Sequence, residues 1–268
     1  MVTVERLTDR AEVRAFLGQD RPLTAYALGD LDDALWPESA FYGARRDGAL
    51  IAVLLLYRGL DPFVLTAFGA GEGIEALLAD LDLPREVYYL WPPEHEPLLS
   101  ALYERPHAQE EWRMVLDWAR FSAPSLDGVR RIAPQEAGAL AALYRHAASP
   151  GEEVVAFSPA QIARGVFFGV WVDGSLVATA GTHVWSQQES VAAIGNVFTH
   201  PAHRGHGHAT RCTAAVVEAA RQAGIETVVL NVRRQNTAAI HIYEKLGFRR
   251  YALFLEGPAL RRDGARRD

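Results

Sequence analysis

The hydrophobic pattern of this chain changes period repeatedly, and each change marks an element. In the second half, apolar runs at 129–132, 167–172, 176–185, 190–199, 227–232 and 248–255 read as strands. Asp173-Gly174 joins two of them as a two-residue hairpin. Residues 134–147 predict a helix with Pro134 in its first turn, and Ser158 caps a short helix starting at Pro159. A longer helix is expected over 204–223, with Ala209, Cys212, Val216 and Ala219/Ala220 on one face and Gly224 as its stop. The last helix, 236–246, opens on Asn236 as N-cap and ends at Gly247.

The first half repeats this order with different residues. Strands are expected at 2–6, 41–45, 50–57, 63–68, 87–91 and 111–121, with helices at 10–18, 24–35, 74–81 and 96–103. Asp47-Gly48 is its hairpin turn, and a glycine-containing turn, 69–73, precedes its third helix. The near-constant offset between the halves predicts an internal duplication of one α/β unit. The turn-rich segment 122–128 is the expected linker between residues 1–121 and 129–257, with an Arg-rich, disordered tail over 258–268.

Composition narrows the function classes. The net charge of −6 hides an asymmetry: residues 1–122 carry 11 Lys+Arg against 21 Asp+Glu, and residues 123–268 carry 16 against 12. The basic half is too weakly charged for a nucleic-acid surface. One cysteine excludes an intramolecular disulfide framework and fits a reducing, cytoplasmic setting. The longest apolar run, 49–57, reads as a buried strand, too short for a membrane span.

The richest chemistry lies in 196–210, Asn-Val-Phe-Thr-His-Pro-Ala-His-Arg-Gly-His-Gly-His-Ala-Thr. A strand hands over to a helix N-terminus through a turn stripped of bulk. Unpaired N–H groups beside the positive end of a helix dipole make an anion site suited to phosphate. It is not a P-loop, because no Gly-Lys-Ser/Thr closes it. Nor is it a dinucleotide fingerprint, because Thr210 stands at the third glycine. Four histidines, His200, His203, His206 and His208, invite a metal, but no Cys or carboxylate completes a ligand set, and none is expected.

Residues 204–209 fit Arg-x-x-Gly-x-Ala, and 231–248 read Asn231-Val232, then Asn-x-x-Ala-x-x-x-Tyr-x-x-x-Gly-Phe from Asn236. With this pairing, residues 129–255 resemble the GCN5-related N-acetyltransferase (GNAT) superfamily. The resemblance implies a mixed α/β sheet in two tandem GNAT-like acyl-CoA N-acyltransferase domains, the first degenerate and non-catalytic. That domain is expected to shape a substrate cleft. Its turn carries Glu72, a carboxylate that would repel phosphate.

The implied co-substrate is acetyl-CoA or another short acyl-CoA, and the implied reaction is direct acyl transfer to an amine in a ternary complex. Main-chain groups of Val197, Phe198 and Thr199 would pair with the pantetheine arm, and the Val197 N–H would face the oxyanion. The amides of Gly205, His206, Gly207, His208, Ala209 and Thr210 would hold the pyrophosphate. Arg204 either bonds a phosphate or fixes the loop, and His206 is either a weak phosphate contact or a solvated side chain. Asn236 combines its cap with a cofactor contact. Tyr243 matches the position of the acid that protonates the departing thiolate, with a packed aromatic as the alternative.

The general base stays open among His183, Glu189, Glu152/Glu153, a water chain and an amine that arrives already neutral. The acceptor is a small-molecule amine or a peptide. Rival readings keep the fold but take aminoacyl-tRNA as donor, or make the chain a non-catalytic acyl-CoA-binding module.

Overall fold

A computed structural model describes residues 1–105, 107–146 and 159–262. The expected cap Ser158 and the carboxylates Glu152 and Glu153 lie outside them. The chain divides into two compact units, Met1–Arg113 with Ala252–Asp268, and Met114–Tyr251. The 122–128 segment therefore lies inside the second unit, and the chain passes between units within two strands, at 113/114 and 251/252.

In the first unit, strands β1 (Val2–Arg6), β2 (Ser39–Arg46), β3 (Ala49–Tyr57) and β4 (Phe63–Gly69) pair antiparallel in sequence order. β5 (Glu86–Trp91) runs parallel to β4 over only three register pairs, Phe63–Leu65 with Val87–Tyr89. Helices α1 (Arg10–Leu17), α2 (Arg21–Gly29), α3 (Gly71–Asp80) and α4 (Glu96–Leu102) accompany the sheet. The short β6 (Tyr103–Glu104) and then β7 (Gln109–Leu116) follow. Ala44, Ala52, Leu54, Ile74, Leu77, Tyr89 and Trp91 are fully buried in one core.

The second unit is built alike. β8 (Val129–Arg131), α5 (Ala137–Tyr144) and α6 (Pro159–Arg164) precede three antiparallel strands, β9 (Phe168–Val172), β10 (Ser175–Ser186) and β11 (Val191–Thr199). α7 (His208–Gln222) packs on β9, β10 and β11. β12 (Thr227–Arg233), α8 (Thr237–Lys245) and the start of β13 (Phe248–Arg261), as far as Tyr251, complete the order. Both hairpins turn in the same way: Asp47 and Gly48 have φ of 52° and 82°, and Asp173 and Gly174 have 48° and 78°. Two successive positive φ values match the twist of the flanking strands.

Two expectations need correction. Residues 258–261 are not a disordered tail: they are strand, paired with β5 through Leu260 opposite Glu86. Arg261 donates to the carbonyl of Leu83 (2.9 Å), and Arg262 donates to that of Ser100 (2.9 Å). Arginines whose guanidinium groups hold main-chain carbonyls are fixed in place, whatever their composition suggests. The second correction concerns 69–73, which is a strand end and a helix start with no loop between them, α3 beginning at Gly71.

Candidate functional site

Every residue of the expected site lies in the second unit, and most lie where β11 leaves its parallel neighbour. The β11–β12 ladder covers Val191–Ile194 with Thr227–Leu230 and stops, although β11 continues to Thr199 and β12 to Arg233. Among the described residues no β11–β12 pair follows Ile194–Leu230. The antiparallel ladder on the other side is also irregular here. Gly181 pairs with Gly195 and Thr179 pairs with Phe198, so Asn196 and Val197 form a bulge opposite one residue. Asn196 adopts φ of 54°, a left-handed conformation that asparagine tolerates better than most side chains.

The turn after β11 is equally specific. Hydrogen bonds of the short 201–203 turn end at Arg204, whose N–H donates to Pro201 O (3.3 Å). They resume at Arg211, whose N–H donates to Gly207 O (3.1 Å). The amides between them belong to the turn and to the opening of α7, where a helix leaves N–H groups unpaired. Gly205 and Gly207 have φ of 81° and 71°, and a Cβ on either would meet only open space. Left-handed glycines therefore explain why α7 starts at His208 rather than Arg204.

The side chains of this turn hold it together. Arg204 donates from Nε to Thr199 O (3.2 Å), fastening the turn to the end of β11. Nδ1 of His206 faces the carbonyls of Arg204 (2.9 Å) and His203 (3.3 Å), so that nitrogen carries the proton. Nδ1 of His208 faces Arg211 Nη2 (2.7 Å), a donor, so it accepts and the proton sits on Nε2. Partial burial and the nearby Arg211 hold the His208 imidazole below its ordinary pKa. Among the described residues no group of three His, Cys, Asp or Glu side chains has the geometry to hold a metal ion.

The second motif is placed by a cap. Asn236 Oδ1 accepts from the N–H of Ala239 (3.1 Å) and starts α8. Ala239 is half-exposed, whereas Tyr243, one turn on, is buried with its ring edge-on to Phe248 at 6.1 Å. Phe198 is buried in the core beside Leu140, Leu143 and Phe167, so only its main chain is available for recognition.

Of the possible bases, Glu189 lies before the start of β11, and the five steps from Val191 to Asn196 already span about 16 Å of strand. His183 is much nearer. A Cβ on Gly195 would collide with its Nε2, so the imidazole lies directly over that glycine. Burial pushes the His183 imidazole down to about 4, which keeps it neutral but makes it a weak proton acceptor at neutral pH.

The first unit lacks this site for a reason different from the expected one. Glu72 is paired with Arg46 and so is not an uncompensated charge. The β3–β4 ladder runs without a bulge to Gly69. A Cβ on Gly69 would meet Ile51 O at 2.3 Å and the Cα of Ala52 at 2.7 Å, and the next amide, Ala70 N–H, donates to Ile51 O (2.8 Å). Gly73 sits equally tight on Ala52 and Ile51. In one unit the chain's own backbone fills the space beside the glycines; in the other that space is open.

Two further residues act at the site without any motif to announce them. Tyr144 donates its hydroxyl to Asn196 O (3.0 Å), and Asn196 Nδ2 donates to Gln161 Oε1 (3.3 Å). The only local signal was Gly195-Asn196 inside an apolar strand, a pattern that points to a bulge.

Residues 137–248 match the Acetyltransferase (GNAT) family. The chain is similar to the mycothiol acetyltransferase of Thermobispora bispora, 37% identical over 84 residues, covering 30% of this chain and 28% of that one. It is also similar to an L-amino acid N-acyltransferase of Escherichia coli, 32% identical over 53 residues, 20% of this chain and 31% of that one. The aligned part thus spans less than a third of the length of these curated relatives. Among solved structures, a tandem GNAT protein from the clavulanic acid biosynthesis pathway shares the fold at TM-score 0.59 and 16% identity, over 97% of this chain and 98% of that one. A Drosophila protein does so at TM-score 0.73 and 15% identity, over 96% and 98%.

Proposed function

We propose that the second unit binds acetyl-CoA and transfers its acetyl group to the primary amine of a small molecule or a peptide. The observation that carries this reading is one juxtaposition: a diverging, bulged strand end followed directly by an open two-glycine turn at the start of α7. An extended, amide-bearing arm fits the first and a pyrophosphate the second. The names of the relatives support acetyl transfer and, for the Escherichia coli protein, an amino-acid acceptor. The buried Cys212 thiol is compatible with a reducing compartment, and a cytoplasmic location belongs to the proposal.

As substrate, acetyl-CoA supplies an activated carbonyl and a thiolate leaving group. The amine nitrogen adds to the carbonyl carbon, the C–N bond forms and the C–S bond breaks. The nitrogen loses one proton and the sulfur gains one, giving an amide and the CoA thiol. The turn amides of 205–210 hold the pyrophosphate, Val197–Thr199 align the arm, and Val197 N–H stabilises the oxyanion. Asn236 contacts the co-substrate from the start of α8. Tyr243 delivers the proton to sulfur, free phenols having a pKa of about 10 and free thiols about 8.5.

The test is thiol release from acetyl-CoA across a panel of amino acids, polyamines and peptides. Burial pushes the Cys212 thiol up to about 12, so the protein's own cysteine stays silent in a thiol assay. Turnover with at least one amine is expected; a blank panel with tight CoA binding makes the chain a binding module instead. Tyr243→Phe, which keeps the ring against Phe248, is expected to lower kcat by about 100-fold with little change in KM. An unchanged kcat reduces Tyr243 to a packed aromatic.

A further inference from the structure

Tyr144 ends α5, and its ring lies edge-on to Phe198 at 6.2 Å. Its hydroxyl reaches Asn196 O at 3.0 Å. The carbonyl it holds belongs to the same peptide unit as the N–H of Val197. That peptide is trans, as is every described bond other than Asp61-Pro62. In a trans peptide C=O and N–H point in opposite directions, so fixing one fixes the other. Neither Asn196 nor Val197 has a ladder partner on β10, so the ladder does not set this plane. What sets it is Tyr144 at the carbonyl and Gln161 at the Asn196 side chain.

We infer that Tyr144 is a positioning residue for acyl transfer: by holding the Asn196 carbonyl, it aims the Val197 N–H at the developing oxyanion. The inference rests on the proposed acetyl transfer. A donor bonded to the carbonyl also polarises the amide and strengthens the N–H as a donor. A preorganised donor of this kind gains its value from not having to reorient during reaction. Tyr144 itself touches no reacting atom. Burial pushes its phenol far above the ordinary range, so it stays protonated and the hydrogen bond persists throughout the working pH range.

Tyr144→Phe in the full chain tests this, because it removes one oxygen and keeps the ring on Phe198. Loosening a donor should cost less than the 100-fold or more that follows from deleting one, so kcat is expected to fall about ten-fold. KM for acetyl-CoA and the shape of the kcat–pH profile are expected to stay as in the wild type. In the protein without substrate, the Val197 amide resonance is expected to move upfield in ¹⁵N and its exchange with water to accelerate. A kcat within two-fold of wild type, or a Val197 resonance that does not move, overturns the inference. So does a loss carried by KM in step with a lowered Tm, which marks a packing role. If the wild type acetylates no amine while the Val197 resonance still responds, acetyl transfer is what fails and the Tyr144 clamp on the bulge stands.

Discussion

Gly207→Val is expected to weaken acetyl-CoA binding by about ten- to 100-fold while leaving a folded protein. Gly207 sits at φ of 71°, where a β-branched residue is strained by about 1–2 kcal/mol, and no neighbouring atom blocks the new side chain. The turn will relieve the strain by rotating out of the left-handed region, and the amides that open α7 will turn with it. Losing one charge-assisted amide–phosphate bond costs about 1.5–3 kcal/mol, which is about the expected affinity change. Isothermal titration with acetyl-CoA, alongside thermal unfolding, separates the two effects. Wild-type affinity in Gly207→Val, with intact folding, means that the turn does not hold the pyrophosphate.

Gly69→Ala is expected to do the opposite: a loss of about 3 kcal/mol or more of stability. Its φ is 115°, and the added methyl would press on backbone atoms, Ile51 O and the Cα of Ala52, which cannot swing aside as a side chain can. Gly48→Asn is the control. It shares a positive φ of 82° but faces open space, and asparagine accepts the conformation, so its unfolding midpoint should stay near wild type. Equal midpoints for Gly69→Ala and Gly48→Asn in urea unfolding would show that close packing at Gly69 carries no weight.

Gly69 and Gly207 also mark how far the sequence could be read. Each lies between a strand and a helix and adopts positive φ, so local chemistry treats them alike. The charge of Glu72 seemed the telling difference in sequence, yet Arg46 neutralises it, and the real difference is Ile51 lying across Gly69. No pattern within the 69–73 window reports what a strand twenty residues earlier presses against it.

Helix ends followed the same division. Asn236, Gly224 and Gly247 carried their caps openly, because a cap is a contact within a few residues. The start of α7 slipped by four residues, since the left-handed glycines of the turn hold 204–207 out of helix. The end of β13 was missed because its last residues are fixed by β5, more than 160 positions away in the chain.

By itself the sequence determined the order of elements, the two hairpins, the two-glycine turn and the paired motifs around Asn236 and Tyr243. Each of these depends on contacts or conformations within a few residues, which residue type and spacing encode directly. Only the tertiary structure decided which glycine turn stands open, where β11 and β12 part, and which side chain holds the bulge. Those are outcomes of packing between distant segments, as when Tyr144 meets Asn196 across 52 residues, and no local pattern carries them.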